Sequence, residues 1–277
     1  MPEEYLGLVD DAAVFPPREL PLAEAVAEHR QHRAAPYAGM VGPFVVSDVR
    51  LPELGALTEG DAQPLAVTVV VSGGAGALEP AARWAGGSAS LQLRSLEVAL
   101  RDLDDLPGSA RRVVTAATAL DVPVRVEPPT VQSGGAGWLS ALDEVAAAGL
   151  HLKFRTGGVT ADLVPSPEQL ACCIDAALDR EVSFKCTAGL HEAVRRALPG
   201  GGTTHGFLNV LLATRAALDG DDVTAVLAEP AREVLMERLR AVGSEALVRT
   251  RRWFTSFGCC DVTDPVNDLR NLGLFPQ

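Results

Sequence analysis

The segment Leu150-His-Leu-Lys-Phe-Arg-Thr-Gly-Gly158 alternates apolar and polar residues and ends in two glycines. A similar segment, Val182-Ser-Phe-Lys-Cys-Thr-Ala-Gly189, occurs further along the chain. Short alternating segments of this kind predict β-strands, in which successive side chains point to opposite faces. His151, Lys153 and Arg155 would then share the polar face of the first strand. Each of the two segments is therefore predicted to be a strand that carries one lysine on its polar face.

Short β-branched segments alternate with Ala- and Leu-rich periodic segments along the rest of the chain. This pattern predicts eight strands and seven helices. The strands are at 5–9, 43–47, 65–71, 91–98, 122–127, 150–154, 182–186 and 252–257. The helices are at 20–33, 78–84, 109–120, 138–148, 167–180, 191–197 and 265–272, with Ser166 and Pro167 as a helix start.

Eight alternating strands and helices indicate an α/β protein with a closed parallel (β/α)8 (TIM) barrel. We expect one domain over residues 1–277. The alternative is a doubly wound open sheet, although the first strand-helix turn lacks the Gly-x-Gly-x-x-Gly pattern. Residues 199–248, between strands 7 and 8, read as further helices after Gly200-Gly-Gly202 and are predicted to be a helical insertion, either a lid or an oligomer contact.

A net charge of −12 argues against a general nucleic-acid surface or an anionic membrane surface, because both need a basic face. Small molecules are the expected partners, and a homo-oligomer is left open. The first residues lack the regions of a signal peptide, and no apolar run approaches the ~20 residues of a membrane span. We expect a cytoplasmic protein.

Cysteine and histidine spacing gives no sign of a metal site. The five cysteines include two adjacent pairs and no Cys-x-x-Cys, which indicates reduced thiols. His29 and His32 lie on a helix that reads as exposed, and His191 and His205 are isolated in the sequence. We therefore expect no structural metal and no cofactor.

The chain has 24 basic residues, of which only Lys153 and Lys185 are lysines. An amine, unlike a guanidinium group, can lose a proton and attack a carbonyl. Chance could explain why lysine is scarce, but surplus lysines would be expected on exposed helix faces. The position of both lysines in apolar strands therefore suggests a function.

Alternation also places charged side chains inside the predicted barrel, where apolar residues are typical. Arg125 and Glu127 join Lys153 and Lys185 there. Buried charges must be paired or serve a ligand, and the alternative is a salt-bridged polar core anchored by Glu127. The residues predicted at the carboxyl ends of the strands, where barrels of this type carry their active sites, are Asp10, Asp11, Ser47, Asp48, Gly73, Gly74, Glu127, Lys153, Lys185 and Gly258.

Two ammonium groups on neighbouring strands are expected to lower each other's pKa, which would produce a neutral amine near pH 7. The expected excess of positive charge at this rim also suggests an anionic substrate. Glycines after the strands can expose backbone N–H groups to an anion, although each is also compatible with an ordinary tight turn. The predicted substrate contacts are Arg155, Thr156, Gly157, Gly158, Thr187, Gly189, Gly258 and His205, the last either as an acid or base on the lid or as a packing residue.

Both lysine segments resemble motifs of the class I aldolases of the deoxyribose-phosphate aldolase type, which are (β/α)8 barrels with a Schiff-base lysine. Leu152-Lys-Phe-Arg-Thr-Gly157 is similar to the family's Ile-Lys-Thr-Ser-Thr-Gly, in which the lysine forms the Schiff base. Phe184-Lys-Cys-Thr-Ala-Gly189 is similar to its Val-Lys-x-x-Gly-Gly, in which the lysine assists proton transfer. The resemblance implies that Lys153 is the nucleophile and Lys185 its proton-relay partner.

Three shorter segments are similar to the same family. Val9-Asp-Asp-Ala-Ala-Val-Phe-Pro16 resembles its Ile-Asp-His-Thr-Leu-Leu-x-Pro, and Val126-Glu127 resembles its Leu-Glu. Ser256-Phe-Gly-Cys-Cys260 loosely resembles the final Gly-x-Ser phosphate loop. The resemblance implies that Asp10 is an acid on the barrel floor.

The chain departs from the family at several positions. The fourth-strand aspartate of the proton relay has no clear counterpart, and Glu97 is the nearest candidate. Ala188 replaces a glycine of the phosphate loop, and Cys259 and Cys260 stand where small hydroxyl groups would help to hold phosphate. These departures and the insertion weaken the expectation of phosphate binding more than that of amine chemistry.

The leading hypothesis is a lyase of the aldolase kind that joins Lys153 to a small anionic carbonyl substrate, phosphorylated or not. Lys185 would tune the amine, while Glu127, Asp10 or Glu97 would move protons. A second hypothesis is a non-covalent isomerase, transferase or metal-assisted hydrolase that uses the lysines only to bind an anion. A third is a non-catalytic barrel that binds a metabolite or serves as a structural subunit.

Overall fold

Eight parallel strands close into a barrel in the computed structural model, which describes residues 1–158, 160, 163–198 and 202–275. The strands are β1 (Val9–Asp11), β2 (Val41–Ser47), β3 (Leu65–Val71), β4 (Leu91–Ala99), β5 (Val124–Glu127), β6 (His151–Arg155), β7 (Phe184–Thr187) and β10 (Phe254–Cys259). Each pairs with the next, and β10 pairs with β1 through Val9 and Phe257. The predicted (β/α)8 barrel is confirmed, and the open sheet is excluded.

Helices follow most of the strands and cover the outside of the barrel. They are α1 (Leu22–Ala34), α2 (Leu51–Thr58), α3 (Leu78–Gly87), α4 (Leu106–Ala117), α5 (Ala136–Ala147), α6 (Pro167–Asp179), α7 (Phe207–Asp219), α8 (Val223–Ala228), α9 (Arg232–Val242), α10 (Ser244–Thr250) and α11 (Thr263–Asn271). The predicted start of α6 is confirmed by a capping box. The Ser166 side chain accepts from the Gln169 backbone N–H, and the Gln169 side chain accepts from the Ser166 backbone N–H. Among the described residues, no helix has both the length and the apolar character that crossing a membrane requires.

The outward face of the strands packs against these helices through a line of aromatic rings. Phe154 of β6 lies between Trp138 of α5 and Phe184 of β7, with ring centroids 6.5 and 5.3 Å apart. Phe184 in turn stacks on Phe254 of β10 at 5.6 Å. Since side chains alternate along a strand, this apolar packing on the outside turns Lys153 and Lys185 to the inside.

The start of the first strand was predicted wrongly. Residues Glu3–Tyr5 form a 3-10 turn, and β1 begins only at Val9. The guanidinium group of Arg251 explains this difference, because it binds the backbone oxygens of Glu4 and Leu6 and leaves them unavailable to a strand partner. The shift places Asp10 and Asp11 inside β1 rather than after it.

The predicted helix at 191–197 is also wrong. These residues form a loop that ends in β8 (Arg196–Ala197), which pairs with β9 (Thr203–Thr204) in a small antiparallel hairpin. Side chains from neighbouring helices bind the backbone N–H groups that a helix would need. The Ala193 N–H donates to Asp268 at 2.6 Å and the Arg195 N–H to Asn209 at 2.8 Å.

Within the predicted insertion, 199–201 lie outside the described residues and 202–248 carry β9, α7, α8, α9 and the start of α10. Helix α7 is the one that covers the barrel after β7. Its Phe207 ring stacks on Phe257 of β10 at 5.2 Å, and the helix is buried along most of its length. The additions to the basic barrel pattern are thus the β8–β9 hairpin, which begins just before this segment, and helices α8 to α10.

Candidate active site

Six charged side chains inside the barrel form one continuous chain of ion pairs. In order, they are Asp10 of β1, Lys185 of β7, Glu97 of β4, Lys153 of β6, Glu127 of β5 and Arg155 of β6. Positive and negative groups alternate along this ion-pair chain. Among the described residues, every buried side-chain nitrogen and oxygen has a hydrogen-bond partner.

Glu97 joins the two lysines. Its Oε1 lies 2.7 Å from Lys185 Nζ and its Oε2 lies 2.8 Å from Lys153 Nζ. Lys153 and Lys185 are directly opposed in the register of β6 and β7. Alternation predicted that both lysines face the inside, but it did not predict this register. Glu97 was the nearest sequence candidate for a fourth-strand acid, but its position between both amines was not predicted.

Exposure to solvent rises along the chain of ion pairs toward Arg155. The side chains of Lys185 and Lys153 are 2% and 5% exposed, that of Glu127 is 12% exposed, and that of Arg155 is 40% exposed. Glu127 connects the inside to the surface, since its Oε2 lies 2.8 Å from Lys153 Nζ and its Oε1 accepts from Arg155 Nε at 3.0 Å. A ligand would therefore reach Lys153 from the side of Glu127 and Arg155.

Asp10 ends the ion-pair chain in the interior, where it is 4% exposed. Its Oδ2 binds Lys185 Nζ and accepts from Ser256 Oγ at 3.0 Å. The carboxylate needs the space beside Gly42 of β2, because a Cβ atom at that position would lie 2.3 Å from Asp10 Oδ1. Ser256 was not among the predicted site residues, although alternation along the eighth strand places it inside with Gly258.

The expected mutual lowering of the lysine pKa values is wrong for Lys153. Burial acts to lower its pKa, but the charges of Glu127 and Glu97 and hydrogen bonds to both outweigh burial and raise it. Burial likewise acts to raise the pKa of Glu97, but the two lysines hold it well below its usual range. The pKa of Glu127 is also lowered, against burial, by Lys153 and Arg155. The resting Lys153 is thus an ammonium ion between carboxylates.

The expected excess of positive charge is not present in this chain of ion pairs. Three carboxylates, of Asp10, Glu97 and Glu127, face three cations, of Lys153, Lys185 and Arg155, so the sum is zero. The lysines therefore offer no unbalanced charge to an anion. Arg155 is the exposed cation of the six.

Close packing, rather than an anion, accounts for two of the rim glycines. A Cβ atom on Gly157 would lie 2.8 Å from the Gly189 Cα, so the backbones of the loops after β6 and β7 touch. Gly189 also has a φ of +77°, which favours glycine. Thr156 locks the same contact, because its Oγ1 donates to the Ala188 carbonyl at 2.5 Å. Whatever these loops bind, their glycines are already needed for packing.

The other predicted contact residues are more open. Gly158 is exposed, and a Cβ there would clash with Leu163 at 2.5 Å. Thr187 is half-buried at the end of β7. A Cβ on Gly258 would meet Thr187 Oγ1 at 3.5 Å, an ordinary contact, so packing does not require a glycine there.

His205 is fully buried beneath the β8–β9 hairpin. Its Nε2 donates to the Pro165 carbonyl at 2.8 Å, and its Nδ1 accepts from Arg195 at 3.3 Å. Burial lowers the pKa of His205 to about 4, so the ring is neutral at pH 7. In this arrangement His205 connects the hairpin to the loop before α6, as the packing interpretation of this residue proposed.

Asp11 and Asp48 have structural partners. Asp11 binds His29 at 2.9 Å and the Ala13 N–H, and so ties β1 to α1. Asp48 accepts from the Ser72 hydroxyl at 2.7 Å and joins the loops after β2 and β3. His29 is 2% exposed, and neighbouring His32 is 5% exposed, so the expectation that both face solvent is wrong.

No group of three or more His, Cys, Asp or Glu side chains within the described ranges is arranged to hold a metal ion. Neither a protein-family model nor a curated protein matches this sequence. The function must therefore be argued from the chain of ion pairs and its surroundings.

Proposed function

We propose that the protein is a lyase of the aldolase kind, in which Lys153 forms a Schiff base with a small carbonyl compound. The observation that carries the proposal is the position of Lys153 Nζ, 2.8 Å from both Glu97 and Glu127 at the side of the barrel that opens toward Arg155. The resemblance of the two lysine segments to the class I aldolases supports the same assignment. The activity requires no metal and no cofactor.

Charge is the first argument for iminium chemistry at this nitrogen. Lys153 carries one positive charge as an ammonium ion, and it would carry one positive charge again as an iminium ion. The two flanking carboxylates stabilise a cation at this point in either state, whereas a neutral amine is only an intermediate between them.

Glu127 is the better base for removing the Lys153 proton. It lies within hydrogen-bond distance of Nζ, it is more exposed than Glu97, and its second partner is the partly exposed Arg155. Glu97 is held by two lysines, which keep its pKa well below the usual range of a carboxyl group. When a substrate anion pairs with Arg155, Glu127 loses a cation, and its proton affinity rises.

The covalent step then proceeds as follows. Glu127 takes a proton from Lys153, and the free amine attacks the carbonyl carbon to give a carbinolamine. The protonated Glu127 returns its proton to the carbinolamine hydroxyl, which leaves as water and leaves the iminium ion. When the bond between the α and β carbons breaks, its electron pair passes to the iminium, which becomes a neutral enamine, and a base takes the proton of the β-hydroxyl as that carbon becomes a carbonyl. In the reverse direction the enamine is the carbon nucleophile.

Lys185 and Asp10 act on Lys153 through Glu97. The ammonium group of Lys185 holds one oxygen of Glu97, and this contact fixes the other oxygen toward Lys153. Asp10 balances the charge of Lys185 from the opposite side. These residues thus position the nucleophile and set its charge without touching the carbonyl.

Arg155 suggests the substrate class. No hydrogen bond among the described residues uses its terminal guanidinium nitrogens, and those atoms can bind a carboxylate or phosphate. We therefore propose a carbonyl compound with one anionic group. The main competitor is a purely structural chain of ion pairs, which the complete pairing of its buried atoms favours.

Reductive trapping separates these two functions. The protein is incubated with acetaldehyde, pyruvate, dihydroxyacetone or dihydroxyacetone phosphate, reduced with borohydride, and analysed by intact mass. A Schiff-base enzyme gains the mass of one reduced adduct, and the comparison of dihydroxyacetone with its phosphate measures the preference for an anion. A structural ion-pair chain gives at most the slow labelling seen for an unrelated exposed amine.

A further inference from the structure

We propose that Cys260 is a nucleophilic thiol that exchanges with small disulfides, assisted by His191 and Asp264. These three residues form a second site at the carboxyl end of the barrel, on β10 and the segments beside it. The inference does not depend on Lys153 or on the proposed lyase activity. It rests on the relative positions of the thiol, the imidazole and the carboxylate.

The His191 ring lies between the other two side chains, with one ring nitrogen facing Cys260 and the other facing Asp264. The Sγ atom of Cys260 lies 3.8 Å from Nε2 of His191. On the other side of the ring, Nδ1 donates to Oδ2 of Asp264 at 2.9 Å. A nucleophile, a base and a group that orients the base are the three parts that activate a thiol for attack.

The adjacent Cys259 has a different role. Its Sγ donates to the carbonyl of Asp261 at 3.1 Å, and it faces Nδ1 of His191, the nitrogen that Asp264 already uses. Burial raises the pKa of Cys259, against the effect of His191, so this sulfur stays a protonated thiol. Cys260 is therefore the member of the pair that is directed at Nε2.

Two basic side chains, His191 and Arg18, lie near Cys260. Hydrogen bonds to Cys259 and Cys260, together with the bond to Asp264, raise the pKa of His191 against the effect of burial, which strengthens the ring as the base that takes the Cys260 proton. The guanidinium group of Arg18 also interacts electrostatically with Cys260 and lies 3.7 Å from Asp261. Nearby cations of this kind are the usual setting of reactive cysteines.

The reaction with a disulfide balances without another reactant. The Cys260 thiol transfers its proton to His191, and the sulfur attacks one sulfur of the disulfide. A new sulfur–sulfur bond forms as the old one breaks, the departing sulfur takes the bonding electron pair, and His191 returns the proton to it. Cys260 ends as a mixed disulfide, and one small thiol is released.

Access decides the size of the disulfide. Cys260 is 7% exposed, while the Asp264 side chain beside it is 50% exposed, so the thiol lies just below an open edge. A low-molecular-weight disulfide fits that access better than the disulfide of a folded protein. The chain also offers an internal comparison, since Cys172 is more exposed than Cys260 and belongs to a different part of the fold.

The test is the rate at which each cysteine of the native protein reacts with 2,2′-dithiodipyridine, followed by peptide mass spectrometry. We expect Cys260 to react at least about tenfold faster than Cys172, despite its lower exposure. We expect His191→Gln to slow Cys260 by about tenfold and to leave Cys172 unchanged. Cys260→Ser should abolish the fast phase, and Cys259→Ser should retain it.

Two results would overturn the proposal. One is wild-type labelling in which Cys172 reacts first, and this result needs no variant. The other is a Cys260 rate that stays the same or rises in His191→Gln. If that variant loses its fold, the buried Cys173 and Cys186 become labelled as well, and the wild-type order of reaction decides the question.

Discussion

Lys153 and Lys185 lie opposite each other in the register of neighbouring strands, and each binds a different oxygen of one carboxylate, that of Glu97. Two ammonium groups in such positions would repel each other in a poorly solvated interior. Glu97 removes that repulsion and couples the two amines. A change of charge at one lysine is therefore felt at the other through a single buried side chain.

Replacing Lys153 by Met should destabilise the protein by about 3–5 kcal/mol, because Glu97 and Glu127 would each lose a buried cation. Lys153→Arg retains the positive charge and should therefore lose less stability than Lys153→Met. Arg83→Met provides the control, since the exposed Arg83–Glu79 pair contributes about 0–1 kcal/mol. Urea unfolding of the three variants measures the differences. A Lys153→Met cost as small as that of Arg83→Met would contradict the buried ion-pair chain.

Glu97→Gln should cost more free energy of unfolding than Glu127→Gln. Glu97 neutralises two lysines from a position that is almost fully buried, whereas Glu127 neutralises Lys153 and a half-exposed Arg155. The two substitutions have the same chemistry, so each serves as the control for the other in thermal or urea unfolding. A larger loss of unfolding free energy in Glu127→Gln than in Glu97→Gln would show that Glu127, rather than Glu97, is the main stabilising carboxylate of the ion-pair chain.

Gly42→Ala should destabilise the fold by about 1–3 kcal/mol, because the added methyl group would overlap the Asp10 carboxylate. Gly137→Ala in α5 is the matched control. Nothing lies within 4 Å of a Cβ atom at Gly137, so alanine there should be neutral or stabilising by up to about 1 kcal/mol. Equal effects at the two glycines would show that Asp10 does not fill the space beside Gly42.

The protein should lose stability in acid through His205. The pKa of His205 is lowered to about 4 in the folded state, from an ordinary value of 6.5, so the unfolded chain binds more protons between these values. The associated stability is present above pH 6.5 and is lost as pH falls toward 4. Between pH 7.5 and pH 5 this loss is about 2 kcal/mol.

His205→Gln removes that titration while keeping a side chain that can hydrogen-bond. Between pH 7.5 and pH 5, the free energy of unfolding should decrease less for the variant than for the wild type. The contributions of the other titrating groups are the same in both proteins and cancel in the comparison. Identical pH slopes would mean that His205 is protonated normally in the folded protein.

The alternation of apolar and polar residues was enough to predict the barrel and the inward direction of both lysines. It worked because the outward face of each strand must be apolar, as Leu152, Phe154 and Phe184 are. The partners of the lysines were harder to predict. The approach of Glu97 to Lys153 depends on the closure of the barrel, which brings together residues far apart in sequence.

Secondary structure was predicted wrongly from the local sequence where side chains from distant parts of the chain bind backbone groups. Residues 191–197 have helical composition, but Asp268 and Asn209 capture the N–H groups of Ala193 and Arg195. The start of β1 was similarly misplaced because the distant Arg251 binds the backbone of the first residues. Neither contact can be deduced from the residues of the segment itself.

Peptide mapping after borohydride reduction tests most directly whether Lys153 forms a covalent iminium ion. The chain has two lysines, so the adduct can be assigned to Lys153, to Lys185 or to the terminal amine without ambiguity. We expect a reduced adduct on Lys153 that is lost in Lys153→Arg. Two results would contradict iminium formation at Lys153. One is an adduct confined to Lys185 or to the terminal amine. The other is the absence of an adduct with all four carbonyl compounds while Lys153→Arg still turns over one of them.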